Sequence, residues 1–244
     1  MKVYRDLKQI PAFKNAVITI GSFDGVHVGH QRILRKITQL AGSIDGESVA
    51  ITFDPHPRLV VYPQANDLQL ITTTDEKIRL MENSGVNHLV VVPFTIEFSQ
   101  QNPHEYIEKF IIQNFHPKYV VIGYDHRFGN NRQGDISFLK WHSKSGAYDV
   151  VEISRQEVDN IAISSTKIRL ALSAYDIPRA NKLLGHNFLI TGEVIPGDRI
   201  GNQLGFPTAN LKLKDKFKLI PPDGIYACLV RHDHAIYKGM LYIG

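Results

Sequence analysis

Short β-branched runs that alternate with helical patterns constrain the fold of this chain more than any other feature. Five such runs lie in the first two-thirds of the chain, at residues 16–20, 48–53, 88–92, 119–123 and 148–153. They are too apolar for a half-exposed sheet, which is typical of parallel strands covered by helices on both faces. The alternation predicts an α/β fold with a doubly wound parallel sheet, whose ligands bind beyond the carboxyl ends of the strands.

Helical patterns fill the intervals between these runs. Residues 31–41 place their apolar side chains on one stripe of a helix. Thr73 and Glu76 have the spacing of a capping box, for a helix that ends near residue 83. Asn102 opens another helix, and residues 136–145 form one that stops at a glycine.

The texture of the sequence changes after Arg169. A helical stretch at residues 176–184 ends at a glycine, and the residues after it are strand-like and rich in turn formers. We therefore predict two domains, an α/β domain over residues 1–184 and a small all-β domain over residues 185–244. The β pattern stops at residue 244 before a barrel closes, so we expect this second domain to be an incomplete barrel with open sheet edges.

Composition narrows the class of protein. Apolar residues make up 43% and charged residues 21% of the 244-residue chain, which suits a globular protein with a real core. There is no bilayer-length apolar run and no secretory pattern at the N-terminus, and Cys228 is the single cysteine. We expect a cytoplasmic protein without a membrane partner. The net charge is +4, and the alternating lysines of residues 212–218 predict a solvated face rather than a nucleic-acid site.

The segment between the first strand and the first helix is the strongest local motif. It reads Gly-Ser-Phe-Asp-Gly-Val-His-Val-Gly-His over residues 21–30. Its glycines permit close backbone approach to a ligand, and the helix start offers free N–H groups at the positive end of the dipole. With His27 and His30 three residues apart, the pattern favours a phosphate site. Two alternatives stay open here, a zinc site built on the two histidines and a purely structural turn.

Two motifs together carry a family resemblance. His27-Val28-Gly29-His30 resembles the HxGH motif of the nucleotidyltransferase superfamily, and residues 163–169, Ile-Ser-Ser-Thr-Lys-Ile-Arg, resemble its second motif. Taken alone, the second motif also fits an ordinary serine N-cap followed by an exposed arginine. In this order, at opposite ends of one α/β domain, the pair resembles the FAD synthetase branch, which implies a Rossmann-like nucleotidyltransferase fold.

Further stretches agree with this branch. Residues 53–57, Phe-Asp-Pro-His-Pro, and residues 123–129, Gly-Tyr-Asp-His-Arg-Phe-Gly, are similar to its flavin- and nucleotide-proximal loops, although the family usually has phenylalanine in place of His126. Residues 201–210 and 221–227 resemble the riboflavin kinase domain that commonly comes next in this family. Asn202 and Tyr242 stand where family members often have arginine and asparagine.

The resemblance implies transfer of AMP from ATP to FMN, giving FAD and pyrophosphate, with Mg²⁺ accompanying ATP and with riboflavin phosphorylation as the second family activity. It implies catalytic roles for His27, His30 and Arg169. The implied ATP-binding residues are Gly21, Phe23, Asp24, Gly25, Gly29, Ser164, Ser165 and Thr166, and the implied flavin-binding residues are Phe53, Pro55, Pro57, Asp125 and Phe128. In the kinase part it assigns Gly205, Thr208 and Asn210 to phosphate, and Thr208 and Asn210 also to the metal.

The chemistry of the reaction fits a site without a catalytic carboxylate. The nucleophile is a phosphate monoester whose second pKa is near 6, so it is mostly a dianion at neutral pH and needs no general base. Riboflavin phosphorylation does need a base, and the resemblance puts that base after residue 244, so we expect the kinase reaction to be impaired in this chain. The alternatives are a nucleotidyltransferase for another small phosphate and a non-catalytic nucleotide- or flavin-binding regulator. The sequence predicts no particular oligomeric state.

Overall fold

The computed structural model of the protein describes residues 1–64, 68–154, 163–197, 205, 208–233 and 235–244. A six-stranded parallel sheet forms the centre of the first part of the chain. Its strands are β1 (Lys2–Tyr4), β2 (Val17–Ile20), β3 (Ser48–Asp54), β4 (His88–Pro93), β5 (Tyr119–Gly123) and β6 (Asp149–Ile153). The predicted α/β class with a parallel sheet is confirmed.

The order of the strands locates the region where a ligand is expected. The sheet runs β1-β4-β3-β2-β5-β6. After β2 the chain adds β3 and β4 on one side of β2, and it then crosses back to add β5 and β6 on the opposite side of β2. Val17 pairs with Ser48 of β3 and with Tyr119 of β5. This reversal is a topological switch point, and such sheets bind ligands at the carboxyl ends of the strands beside it.

Helices cover both faces of this sheet. The described helices of the chain are α1 (Val28–Ser43), α2 (Pro57–Val61), α3 (Thr74–Glu82), α4 (Ile96–Ser99), α5 (Pro103–Glu105), α6 (Gln113–Phe115), α7 (Ile136–His142), α8 (Ser165–Ser173) and α9 (Ile177–Leu184). The last two pack on each other in a separate apolar cluster. Short 3₁₀ turns lie at Leu7–Gln9, Asn130–Arg132 and Ser143–Ser145. The capping box of Thr73 and Glu76 is present at the start of α3, as the sequence predicts.

The helix opened by Asn102 differs from a regular α-helix. Its capping box with Glu105 forms, but Tyr106–Ile112 between α5 and α6 is π-helical. The apolar side chains of this π-helical turn enter the core on one side of the sheet, where Phe110 packs edge-on against Phe98 with ring centroids 4.9 Å apart. The opposite side of the sheet packs against α1, whose Leu34 and Ile37 are fully buried.

Two antiparallel pairs make up the described strands of the C-terminal part. β7 (Gly192–Ile195) pairs with β8 (Asn210–Leu213), and β9 (Gly224–His232) pairs with β10 (Ala235–Ile243). The predicted change from alternating helices and strands to β-strands in the C-terminal part is confirmed. Among the described helices, none combines the length and the apolar character needed to cross a membrane.

Candidate active site

The loop between β2 and α1, residues 21–27, forms the centre of the site. It leaves the carboxyl end of β2 beside the switch point and ends at the first turn of α1. Gly25 has φ +84°, and a Cβ there would lie 3.0 Å from Ile71 and 3.2 Å from Leu184. Phe23 and Val26 have positive φ angles of 47° and 41°. Such angles are costly for a β-branched residue, and strained backbone of this kind clusters at functional sites.

His27 and His30 lie against each other at the start of α1. Their rings stack with centroids 3.6 Å apart, and His27 Nδ1 accepts a hydrogen bond of 3.3 Å from the backbone N–H of His30. Because His27 Nδ1 is an acceptor, the neutral ring carries its proton on Nε2 and can donate there. Phe23 supports the pair, with its ring edge-on to His30 at 5.3 Å.

Both imidazoles are uncharged at neutral pH. Burial lowers the pKa of His27 to about 4, although the nearby Asp24 carboxylate opposes the shift. Burial also lowers the pKa of His30 well below its usual value, and the neighbouring His27 and Lys77 act in the same direction, because a charged His30 would be repelled by them. Among the described residues, none hydrogen-bonds the buried Nδ1 atom of His30. The pair therefore offers neutral N–H donors, which suit the crowded negative charge of a polyphosphate.

The second motif lies directly beside the first. Ser164 caps α8 by accepting from the N–H of Lys167, as the N-cap alternative expects, but the motif also makes long-range contacts. Ser165 Oγ donates to Asp24 O at 3.2 Å. Arg169 donates from Nη2 to the Asp24 carboxylate in a close ion pair and from Nε to Gln69 O at 2.7 Å. Residues that lie 141 and 145 positions apart in the chain are thus joined.

The other residues assigned to ATP make none of these contacts between the two motifs. Gly21 and Gly29 lie in the loop and in the first turn of α1, and Thr166 is exposed in the first turn of α8. Phe23 is almost fully buried, so its ring supports the loop. Thr166 remains available to a ligand that reaches the start of α8.

Sequence reasoning missed Thr72. Its N–H donates to Asp24 Oδ1 at 3.0 Å, and its hydroxyl accepts from the N–H of Gly25 at 2.9 Å. Thr72 therefore fixes both the carboxylate and the backbone of the loop from a segment far along the chain. No spacing or motif in the sequence indicates this contact.

Lys77 was missed as well. This lysine of α3 is 4% exposed, and its Nζ donates to Thr52 Oγ1 at 3.0 Å. Burial lowers its pKa to about 8, while the carboxylates of Asp24 and Asp54 oppose the shift. A buried ammonium at the carboxyl end of β3 is a candidate phosphate ligand, and its place in an ordinary amphipathic helix gave no signal.

A cleft opens next to Asp24, and the residues assigned to flavin are divided between it and other places. Phe53 and Pro55 line the cleft, together with Lys77 and Thr72. Pro57 begins α2 and Asp125 is exposed in the loop after β5, both at the same edge of the sheet. Flavin contacts by these residues stay predictions.

Phe128 lies in the apolar core. Its ring stacks on Tyr106 at 5.1 Å and lies 6.0 Å from His126, and a Cβ on Gly134 would come within 2.5 Å of it. Burial lowers the pKa of His126 to about 4, so this histidine is neutral and takes the aromatic position that the family usually gives to phenylalanine. The structure gives Phe128 a packing role, and a contact of this ring with flavin remains untested.

The residues assigned to the kinase part lie in the C-terminal part of the chain. Gly205 has φ +79°, and Thr208 and Asn210 are exposed just before and at the start of β8. Their hydroxyl and amide oxygens fit the hard oxygen ligands of Mg²⁺. Asn202 lies outside the described residues.

The zinc alternative for the two histidines receives no support. Within the described ranges, the group of three possible metal ligands that lie close together is His104, Glu108 and His142, away from the loop. His142 Nε2 and Glu108 Oε1 are 3.0 Å apart, so these two side chains already contact each other directly. His27 and His30 lack a third ligand among the described residues.

Comparison with known proteins agrees with this geometry. Residues 9–167 match the family described as FAD synthetase, and residues 184–244 match the family described as riboflavin kinase. A bifunctional riboflavin kinase/FMN adenylyltransferase from Listeria monocytogenes is 34% identical over 94% of this chain and 72% of its own length. The protein of the same name from Buchnera aphidicola subsp. Acyrthosiphon pisum is 36% identical over 95% of this chain and 74% of its own length.

A solved structure matches over nearly the whole chain. It is titled a macrolide-efflux protein from Streptococcus pneumoniae, has a TM-score of 0.86 and 30% sequence identity, and covers 99% of this chain and 78% of that one. The matched families, the curated relatives and the two joined motifs all agree. The chain belongs to the FAD synthetase family, with a riboflavin kinase family region behind the synthetase region.

Proposed function

We propose that the loop of residues 21–27, the start of α1 and the start of α8 form the site where this chain transfers AMP from ATP to FMN. The observation that carries the assignment is the direct contact between the two motifs, through Ser165 and Arg169 on Asp24. A phosphate chain laid along this contact meets the amino ends of two helices, where free N–H groups and the helix dipole favour negative charge.

The reaction needs positioning and charge stabilisation more than proton transfer. A phosphate oxygen of FMN attacks the α-phosphorus of ATP, and the bond to the leaving pyrophosphate breaks. His27, with its proton on Nε2, donates to a phosphate oxygen, and His30 does the same from the neighbouring ring. Neither imidazole must change its protonation state, because the FMN phosphate is already a dianion at neutral pH.

Arg169 serves the leaving group in this scheme. Two of its five N–H groups are used on Asp24 and Gln69, which fixes the guanidinium plane. The rest of the fork can then meet pyrophosphate without losing side-chain freedom on binding. Mg²⁺ bound with ATP neutralises phosphate charge. In the kinase region, Thr208 and Asn210 are the residues that would hold it.

The cellular setting is inferred from the sequence. We infer a cytoplasmic enzyme that works on small molecules, without a nucleic-acid or membrane partner. The single cysteine and the even distribution of charge support this inference.

A direct assay tests the function. The chain is incubated with ATP, Mg²⁺ and FMN, and the products are separated by chromatography. We expect FAD and pyrophosphate in equal amounts, and loss of both in a His27→Gln/His30→Gln double variant. Adenylylation of a different phosphate monoester with no FAD would favour the other acceptor. Binding of ATP and FMN without turnover would favour the regulator.

A further inference from the structure

Residues 215–219, here called the docked segment, belong by sequence to the riboflavin kinase region but lie on the α/β part of the molecule. The N–H of Leu70 donates to Phe217 O at 2.6 Å, and the N–H of Leu219 donates to Leu70 O at 2.7 Å. A turn sets this geometry, because Asp215 Oδ1 accepts from the N–H of Phe217 at 2.8 Å. The docked segment therefore pairs with Leu70 through an isolated parallel β-bridge at Lys218.

Lys218 anchors the docked segment in the interior. Its Nζ donates to Glu76 Oε2 at 2.8 Å and to Ile71 O at 2.6 Å, and it lies 4.3 Å from the centroid of the Phe188 ring. Both charged side chains are almost completely removed from water, with 1% of Lys218 and none of Glu76 exposed. Since an unpaired charge is costly in such a place, the two groups hold each other.

The segment that Lys218 holds is the one that orders the active-site loop. Ile71, whose carbonyl Lys218 binds, is followed by Thr72, which bonds both Asp24 and Gly25. Leu219 adds apolar contact, because it is buried in one cluster with Ile71 and with residues of α8. A chain of direct contacts therefore runs from the docked segment to the loop of residues 21–27.

The docked segment also reaches the cleft. Asp215 and Phe217 line the same cleft as Phe53 and Pro55, two of the residues that the family resemblance assigns to flavin. Phe217 is half-buried, so part of its ring remains available to a ligand. An aromatic ring on the wall of a narrow cleft suits a flat aromatic ligand, which gains from offset or edge-on packing.

We propose that the docked segment is part of the FMN adenylyltransferase site. Phe217 contacts the flavin ring system in the cleft, and Lys218 is a positioning residue that acts through Ile71 and Thr72. This inference rests on the proposed function, because it takes FMN as the ligand of the cleft. It extends the synthetase unit past residue 184, where the sequence places the domain boundary, to residue 219.

Phe217→Ala is the first test. We expect the KM for FMN to rise about tenfold, which corresponds to about 1.4 kcal/mol of lost contact, while the KM for ATP changes less than about twofold. Phe217→Leu keeps apolar bulk without the aromatic face, so its KM for FMN should lie between those of the wild type and Phe217→Ala. Lys214→Met, an exposed lysine of the same run, is the matched control and should behave as wild type.

Lys218→Met is the second test. Measured well below its melting temperature, it should lower kcat/KM for FMN about tenfold, because Thr72 no longer holds the loop. Lys218→Met/Glu76→Gln removes both charges of the pair, and it should recover much of the lost thermal stability and part of the activity. A folded Lys218→Met protein with wild-type kinetics would show that Lys218 is only structural.

The outcomes separate this inference from the proposed function. If the wild-type chain makes no FAD from FMN and ATP, the proposed function fails. If the wild-type chain makes FAD and both Phe217→Ala and Phe217→Leu keep the wild-type KM for FMN, only the flavin contact of the docked segment is refuted.

Discussion

The Asp24–Arg169 pair should be strongly coupled in the free energy of unfolding. Asp24→Asn keeps an oxygen for the N–H of Thr72 and removes the charge that faces Arg169. Arg169→Ala removes the guanidinium and leaves a buried carboxylate behind. Breaking a fully buried pair costs about 3–5 kcal/mol. Because Arg169 is 23% exposed, we expect about 2–3 kcal/mol for each single change.

A double-mutant cycle isolates the pair. The second change should cost much less in the background of the first, with a coupling energy of about 1–3 kcal/mol. Urea unfolding monitored by fluorescence is suitable, since Trp141 is the only tryptophan and lies on α7 of the α/β part. The spectra report that part rather than the C-terminal strands.

The matched control is a second arginine–aspartate pair. Arg127 and Asp135 form an ion pair of 2.9 Å with side chains 47% and 33% exposed. The same cycle there should give a coupling of at most about 1 kcal/mol, as for other surface pairs. If the coupling at Asp24 and Arg169 is no larger than this control, the two motifs are not joined through this pair, and the proposed site loses its main support.

The loop and the core give three further predictions. His27→Ala and His30→Ala should each lower FAD formation at least about 10²-fold, measured as kcat on folded protein, since each removes a charge-stabilising donor. The pKa of His27 is about 4 in the folded protein and about 6.5 in the unfolded chain, so the unfolded chain takes up the proton first as the pH falls. Through this residue, the free energy of unfolding should therefore decrease by about 2 kcal/mol between pH 8 and pH 5. The difference in unfolding free energy between wild type and His27→Gln should shrink by that amount, and a difference independent of pH would contradict the shifted pKa. Gly134→Ala should destabilise by about 1–3 kcal/mol through its clash with Phe128, whereas Gly42→Ala in α1, with open space around it, should not lower the melting temperature.

Local signals in the sequence predicted most of the sheet and its helices. Four of the five apolar runs became β2 to β5, because strands buried on both faces need apolar residues at nearly every position. The fifth run became the edge strand β6, where the expected burial on both faces was wrong: four of its five residues are exposed or half-buried. The edge strand β1 was not predicted, since three exposed or half-exposed residues carry no such pattern. The π-helical turn of Tyr106–Ile112 was also missed, because its apolar spacing fits a regular helix equally well.

In the candidate site too, features set by local sequence could be predicted, and features set by long-range contacts could not. The glycine-rich loop and the serine-rich motif could be predicted, because each is a short run whose residue types serve one local geometry. Thr72 and Lys77 could not, since their roles depend on pairing with residues far away in the chain. In the sequence, Thr72 simply precedes a helix start, and Lys77 lies within an ordinary amphipathic helix.

Lys218 shows why a local pattern can mislead. Alternation of the lysines in residues 212–218 predicts one solvated face of an extended segment, but Lys218 is 4% exposed. The turn at Asp215 breaks the alternation after β8, so the last lysine points into the α/β part instead of into water. Burial pushes the pKa of Lys218 down, and Glu76 opposes that shift, so the ammonium is tolerated only beside its carboxylate partner. The buried charge of Lys218 thus lies where the riboflavin kinase region contacts the α/β part. We therefore expect the synthetase site to be sensitive to residues that the sequence alone assigns to the kinase.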